Sequence, residues 1–118
     1  MKFSGYPREY LEFIELFNQE KFFEAHEILE LRWKQERGKE RAFYQGLIQI
    51  AAAFVHLQKG TPLGAEELLK SASRYLEKFK PVFMNLDLEK LLTEAQASLS
   101  AAAPFPRLPA ISFYKKTS

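Results

Sequence analysis

The chain has 118 residues, enough for one hydrophobic core and too few for two. Hydrophobic residues make up 47% and charged residues 27%, with eleven Phe, five Tyr and one Trp, a composition that excludes a disordered chain. There is no cysteine, which removes disulfides, thiolate zinc sites and cysteine nucleophiles, and the net charge of +2 draws no particular partner.

The N-terminus, Met1-Lys2-Phe3-Ser4-Gly5, lacks the apolar core of a signal peptide. A first helix is predicted from about Arg8 to Phe17, with Pro7 at its start, where a missing N–H costs nothing, and Tyr10, Ile14 and Phe17 on its apolar side. Asn18-Gln19 breaks it. A second helix runs from about Glu20 to Glu36 and is expected to end at Gly38, the residue type that adopts the left-handed backbone after a helix.

The third helix extends from Lys39 to Lys59 and stops at Gly60. Its uncharged run, Ala42 to Gln58, includes three Gln and one His and falls short of the ~20 apolar residues of a membrane span, so it reads as a buried helix. Phe43, Leu47, Ile50 and Phe54 mark one side, with Ile48, Ala51, Ala53 and Val55 around it, so this helix is expected at the centre. The fourth opens with Thr61 as N-cap and Pro62 in the first turn, repeats Leu68, Leu69, Ala72, Leu76 and Phe79, and stops at Pro81. The fifth follows Asp87 as N-cap and carries Leu88, Leu91, Leu92, Ala95 and Leu99.

No segment alternates with the period of a strand. The predicted fold is all-α: a compact up-and-down bundle of about five helices over residues 1–103, joined by short connections. Residues 104–118 form a Pro-rich apolar tail, with Phe105, Leu108, Ile111, Phe113 and Tyr114, expected to pack on the bundle or on a partner subunit.

Two stripes place polar residues where apolar ones are expected. On the second helix, Phe22, His26, Leu29 and Trp33 share a face, with Glu30 slightly to the side and Glu27 at the border. On the third, Gln45, Gln49, Ala52 and His56 form a stripe opposite Leu47. An antiparallel hairpin turning at Gly38 would bring Trp33 and Glu30 near Arg41 and Gln45, and His26 to the level of Gln49, with His56 farther along. Buried imidazole, carboxylate, amide and guanidinium groups must find partners, and these can satisfy one another. Such a network serves helix register, a pocket for a small ligand or peptide, or a metal or acid–base site.

The metal reading is thin. His26-Glu27-Ile28-Leu29-Glu30 has Glu where the His-Glu-x-x-His zinc motif needs its second His, and Phe23 breaks the Glu-x-x-His pattern of di-iron proteins. His26, Glu30 and His56 remain as a two-His-one-carboxylate set. No Gly-rich phosphate loop or nucleophile elbow is present. The cations Arg32, Lys34, Arg37, Lys39 and Arg41 flank a helix C-terminus, where positive charge complements the dipole.

The blocks Phe17-Asn18, Phe22-Phe23-Glu24-Ala25-His26-Glu27-Ile28-Leu29-Glu30 and Trp33, then Arg41, Gln45-Gly46-Leu47-Ile48-Gln49 and His56, then Gly60 and Gly64-Ala65, resemble the domain of unknown function 309 family. The resemblance implies a compact multi-helical domain and no established activity. It marks His26, Glu27, Glu30, Trp33, Arg41, Gln45, Gln49 and His56 as a candidate site without assigning them roles.

These readings lead to a cytoplasmic, non-enzymatic interaction or small-ligand-binding module that calls for no cofactor. A homo-oligomer, a protein partner or a small ligand could cover the uncharged stripe; no membrane is implied, and the interspersed charges argue against nucleic acid. The rival expectation is a metal-assisted hydrolase using His26, Glu30 and His56, with Arg41 positioning an anionic substrate.

Overall fold

Residues 5–101 are described in this computed structural model. Pro7 lies just outside the first helix, α1 (Arg8–Asn18), and its carbonyl accepts from the N–H groups of Tyr10 and Leu11. Tyr10, Phe13, Ile14 and Phe17, at helical spacing, are all buried. After a turn in which Glu20 takes a left-handed backbone (φ 62°), α2 (Phe22–Gln35) buries Phe22, Ala25 and Leu29.

Helix α3 (Glu40–Gln58) is central, with nine buried residues, and Phe43, Leu47, Ile50 and Phe54 fully enclosed. Aromatic contacts pin α1 and α2 to α3: Phe17 meets Phe54 at 5.8 Å between ring centroids, Phe22 meets Phe54 at 5.2 Å, and Tyr10 meets Phe43 at 6.0 Å. Gly60 ends the α3 turn at φ 80°, as its residue type allows. Helix α4 (Pro62–Leu76) then packs back along α3. The Leu76 side chain packs directly on the bare backbone of Gly46, where a Cβ would lie 2.6 Å from the leucine Cγ.

The last turn of the predicted fourth helix tightens into a 3₁₀ segment, Glu77–Phe79. A short hairpin follows, where the sequence pattern predicts no strand: β1 (Val82–Phe83) pairs antiparallel with β2 (Leu86–Asp87) in the register Val82 to Asp87 and Phe83 to Leu86. Met84 and Asn85 both have positive φ, the backbone of a tight two-residue hairpin turn. Two tyrosines fasten it: the hydroxyl of Tyr10, on α1, donates to the Met84 carbonyl at 2.8 Å, and that of Tyr6, just before α1, to Oδ1 of Asn85 at 2.9 Å. Oδ1 of Asp87 then accepts from the N–H of Lys90 at 3.0 Å, so the expected cap opens α5 (Leu88–Ala101).

The architecture is thus all-helical apart from that hairpin, with five α-helices among the described residues. No helix among these residues is long and apolar enough to cross a membrane. The tail of residues 104–118 and the end of the predicted fifth helix lie outside the described residues.

Candidate functional site

The α2–α3 turn departs from expectation at Gly38, which does not take a left-handed backbone. Its N–H donates to Oε2 of Glu36 at 3.3 Å, and the orphan carbonyls at the end of α2 are served from α3. Nη1 of Arg41 donates to the carbonyl of Trp33 at 2.9 Å and to that of Glu36 at 3.2 Å. The guanidinium carbon lies 4.0 Å from the centroid of the Trp33 ring. One arginine therefore closes the helix end and stacks on its last aromatic.

Beside this stack, Trp33, Lys39, Arg41 and Gln45 meet Tyr75 from the end of α4 and Lys78 from the 3₁₀ segment after it around an open cavity of about 370 Å³. None of its lining residues is acidic. Glu36 is engaged by Arg32 at 3.3 Å, and Glu40 leans toward Gly38, where its Oε1 would be 3.2 Å from a Cβ. Lys39, Arg41 and Lys78 make no ion pair with a carboxylate among the described residues. A second cavity of about 380 Å³, lined by Lys39, Lys78, Phe79, Lys80, Val82 and Phe83, shares both lysines with the first. The ammonium of Lys39 lies 5.8 Å from the Phe83 ring and that of Lys78 5.6 Å from the Phe79 ring, so both stand on the hairpin side.

The remaining members of the predicted cluster divide. Trp33 pairs with Arg41 at one end of the α2–α3 hairpin, and Nε2 of Gln58 donates to the Glu20 carbonyl at 3.1 Å at the other. Between these anchors lie His26 on α2 and Gln49 on α3. Nδ1 of His26 and Oε1 of Gln49 are both buried without a hydrogen-bond partner among the described residues. An imidazole N–H and a carboxamide oxygen are complementary, and leaving either unmade costs about 1–3 kcal/mol. The His26 ring also leans on Phe23, at 5.8 Å between centroids. Glu30 is half-buried and Glu27 is exposed.

His56 is drawn elsewhere. Its Nδ1 lies 2.8 Å from Oγ1 of Thr61, and that hydroxyl lies 3.0 Å from the His56 carbonyl. A hydroxyl has one hydrogen. If Thr61 gives it to the carbonyl, Nδ1 of His56 carries a proton and donates to Oγ1. Thr61, expected to cap α4 with its side chain, bonds back to α3 instead. Gly64 leaves room for the imidazole: a Cβ there would come within 2.7 Å of Nδ1. His26, Glu30 and His56 are not assembled as a metal-ligand set, and no group of three His, Cys, Asp or Glu among the described residues could hold a metal ion.

Sequence reasoning missed Tyr75 and Lys78 and took Lys39 for a dipole partner only. Their common wall depends on where α4 passes, which no single helix records. The one available signal was Tyr75, an aromatic 39% exposed between the buried Ala72 and Leu76.

The sequence profile described as Domain of unknown function (DUF309) matches residues 10–68, half of the chain, from α1 into α4. The chain belongs to the DUF309 family. Within that span lie all eight residues of the predicted cluster and three further lining residues, Gly38, Lys39 and Ala42; Tyr75 and Lys78 lie beyond it. An uncharacterized protein of Bacillus subtilis (strain 168), YpuF, is 35% identical over 74 residues, which cover 61% of this chain and 42% of YpuF. This chain therefore matches less than half the length of that relative. The crystal structure of a conserved hypothetical protein from Thermus thermophilus, TTHA0068, is also similar. It superposes with a TM-score of 0.70 at 35% identity, over 80% of this chain and 98% of the other.

Proposed function

We propose that this DUF309 chain is a non-enzymatic binding module that takes a small ligand in the cavity between the α2–α3 turn and the end of α4. The observation that carries the reading is the convergence of Trp33 and Gln45, one from each polar stripe, and of Arg41 with Tyr75 and Lys78 around about 370 Å³ of open space. Ligand sites of this size are concave, mostly apolar and furnished with a few fixed polar groups. Here the Arg41–Trp33 stack is held by two carbonyls before any ligand arrives.

The chain has one tryptophan, so its emission reports on this cavity directly. A metabolite screen read by Trp33 emission and by thermal shift tests the reading. A saturable change in both, lost in Gln45→Leu, is the expected result. No response from any compound class would overturn it. The rival metal-assisted hydrolase is not favoured, because the three residues it needs are not gathered into a ligand set.

A further inference from the structure

We infer that the ligand of this cavity is a mononucleotide: a flat ring joined to a phosphate. The inference rests on the binding-module reading above and names the chemistry of the same site. Three cations, Lys39, Arg41 and Lys78, line the cavity, no lining residue is acidic, and none of the three is neutralised by a carboxylate among the described residues. Like charges brought together repel unless an anion joins them.

Their placement is polarised. Lys39 and Lys78 line both neighbouring cavities, and their ammonium groups approach the rings of Phe83 and Phe79 on the hairpin side. That ridge is the seat for the phosphate. Trp33, Tyr75 and Gln45 line the first cavity and not the second, offering flat apolar faces and one carboxamide, which can both donate to and accept from a ring edge. Aromatic faces of this kind stack on any nucleobase. Arg41, in the first cavity, has Nη1 committed to the two carbonyls, while its Nε–H and Nη2 hydrogens have no partner among the described residues. About 370 Å³ lies near the lower bound of ligand pockets and is room enough for one nucleotide.

The test titrates the full chain with adenosine, guanosine, cytidine and uridine 5′-monophosphates, the four parent nucleosides and inorganic phosphate, following Trp33 emission. At least one monophosphate should bind about tenfold or more tighter than both its nucleoside and phosphate, and should weaken as salt is raised. Lys78→Glu should reduce that affinity about tenfold or more at unchanged thermal stability, and Lys59→Glu, at the far end of α3, should leave it unchanged. The inference is overturned if nucleosides bind as well as their monophosphates, if no monophosphate binds, or if a short single-stranded oligonucleotide binds where monophosphates do not. In the second case, a neutral or purely apolar compound that shifts Trp33 emission leaves the binding module standing with another ligand. Silence from every compound class removes both.

Discussion

Arg41 holds Trp33 twice, once through the ring and once through the backbone. Its guanidinium lies 4.0 Å from the indole centroid while Nη1 donates to the Trp33 carbonyl at 2.9 Å. Arg41→Ala is therefore expected to strand two helix-end carbonyls and lower stability by about 1–3 kcal/mol. Arg41→Lys should recover less than half of the loss, since an ammonium has neither the flat face nor the fork. Urea unfolding of the three proteins measures this, and full recovery by lysine would show that charge alone matters.

His56 and Gly64 should be energetically coupled. Replacing Gly64 by Ala in the first turn of α4 ordinarily favours a helix by up to about 1 kcal/mol. Here the added methyl meets the His56 ring at 2.7 Å and displaces it from Thr61. Gly64→Ala should yield no gain in the native background and a gain of about 0.5–1 kcal/mol once His56→Ala has removed the ring. A double-mutant cycle with no coupling would show that the imidazole sits elsewhere in solution.

Gln49 carries a buried carboxamide oxygen without a partner among the described residues. Gln49→Met keeps a side chain of similar length and removes that oxygen, so stability should rise by about 1 kcal/mol. A fall of that size, measured by thermal or urea unfolding, would mean that His26 or a bound molecule meets the oxygen in solution.

Alkaline pH should unfold the domain through its buried phenols. Burial pushes the Tyr44 hydroxyl from 10.0 up to about 12, with Glu36 adding to the rise and Arg32 opposing it. Burial also raises Tyr10 well above its ordinary value, with Tyr6 and Tyr44 adding to the effect. Above about pH 10 the unfolded chain has released protons that the folded chain still holds, so stability is full below that point and declines as pH rises toward the folded values. The slope is about 1.4 kcal/mol per pH unit for each retained proton. Tyrosinate absorbance should lag in the folded protein and appear together with loss of helical circular dichroism. Early ionisation with the helices intact would place these hydroxyls in water.

The helices were legible because proline, glycine and apolar spacing all pointed the same way at Pro7, Gly60, Pro62 and Asp87. The hairpin at Val82–Asp87 was not, since two residues per strand are too few to show alternation, and the fastening comes from Tyr6 and Tyr10, distant in sequence. Gly38 misled for a different reason. Arg41 supplies the hydrogen bonds that a left-handed glycine would otherwise provide at the end of α2. Of the candidate residues, Trp33, Arg41 and Gln45 could be read together because a short hairpin forces adjacency. His56 could not be placed, because its position on α3 suits either neighbouring helix and only Gly64 on α4 decides between them.

The contact between Gly46 and Leu76 reaches further than packing. Leu76 falls between Tyr75 and Lys78 in the chain, and Gly46 is next to Gln45, so the absence of one methyl sets the distance across the cavity mouth. A side chain at position 46 would act as a wedge under α4, prising the tyrosine and lysine away from the glutamine without changing the identity of any lining residue. The width of the opening is thus governed from behind, by a residue that no ligand would touch.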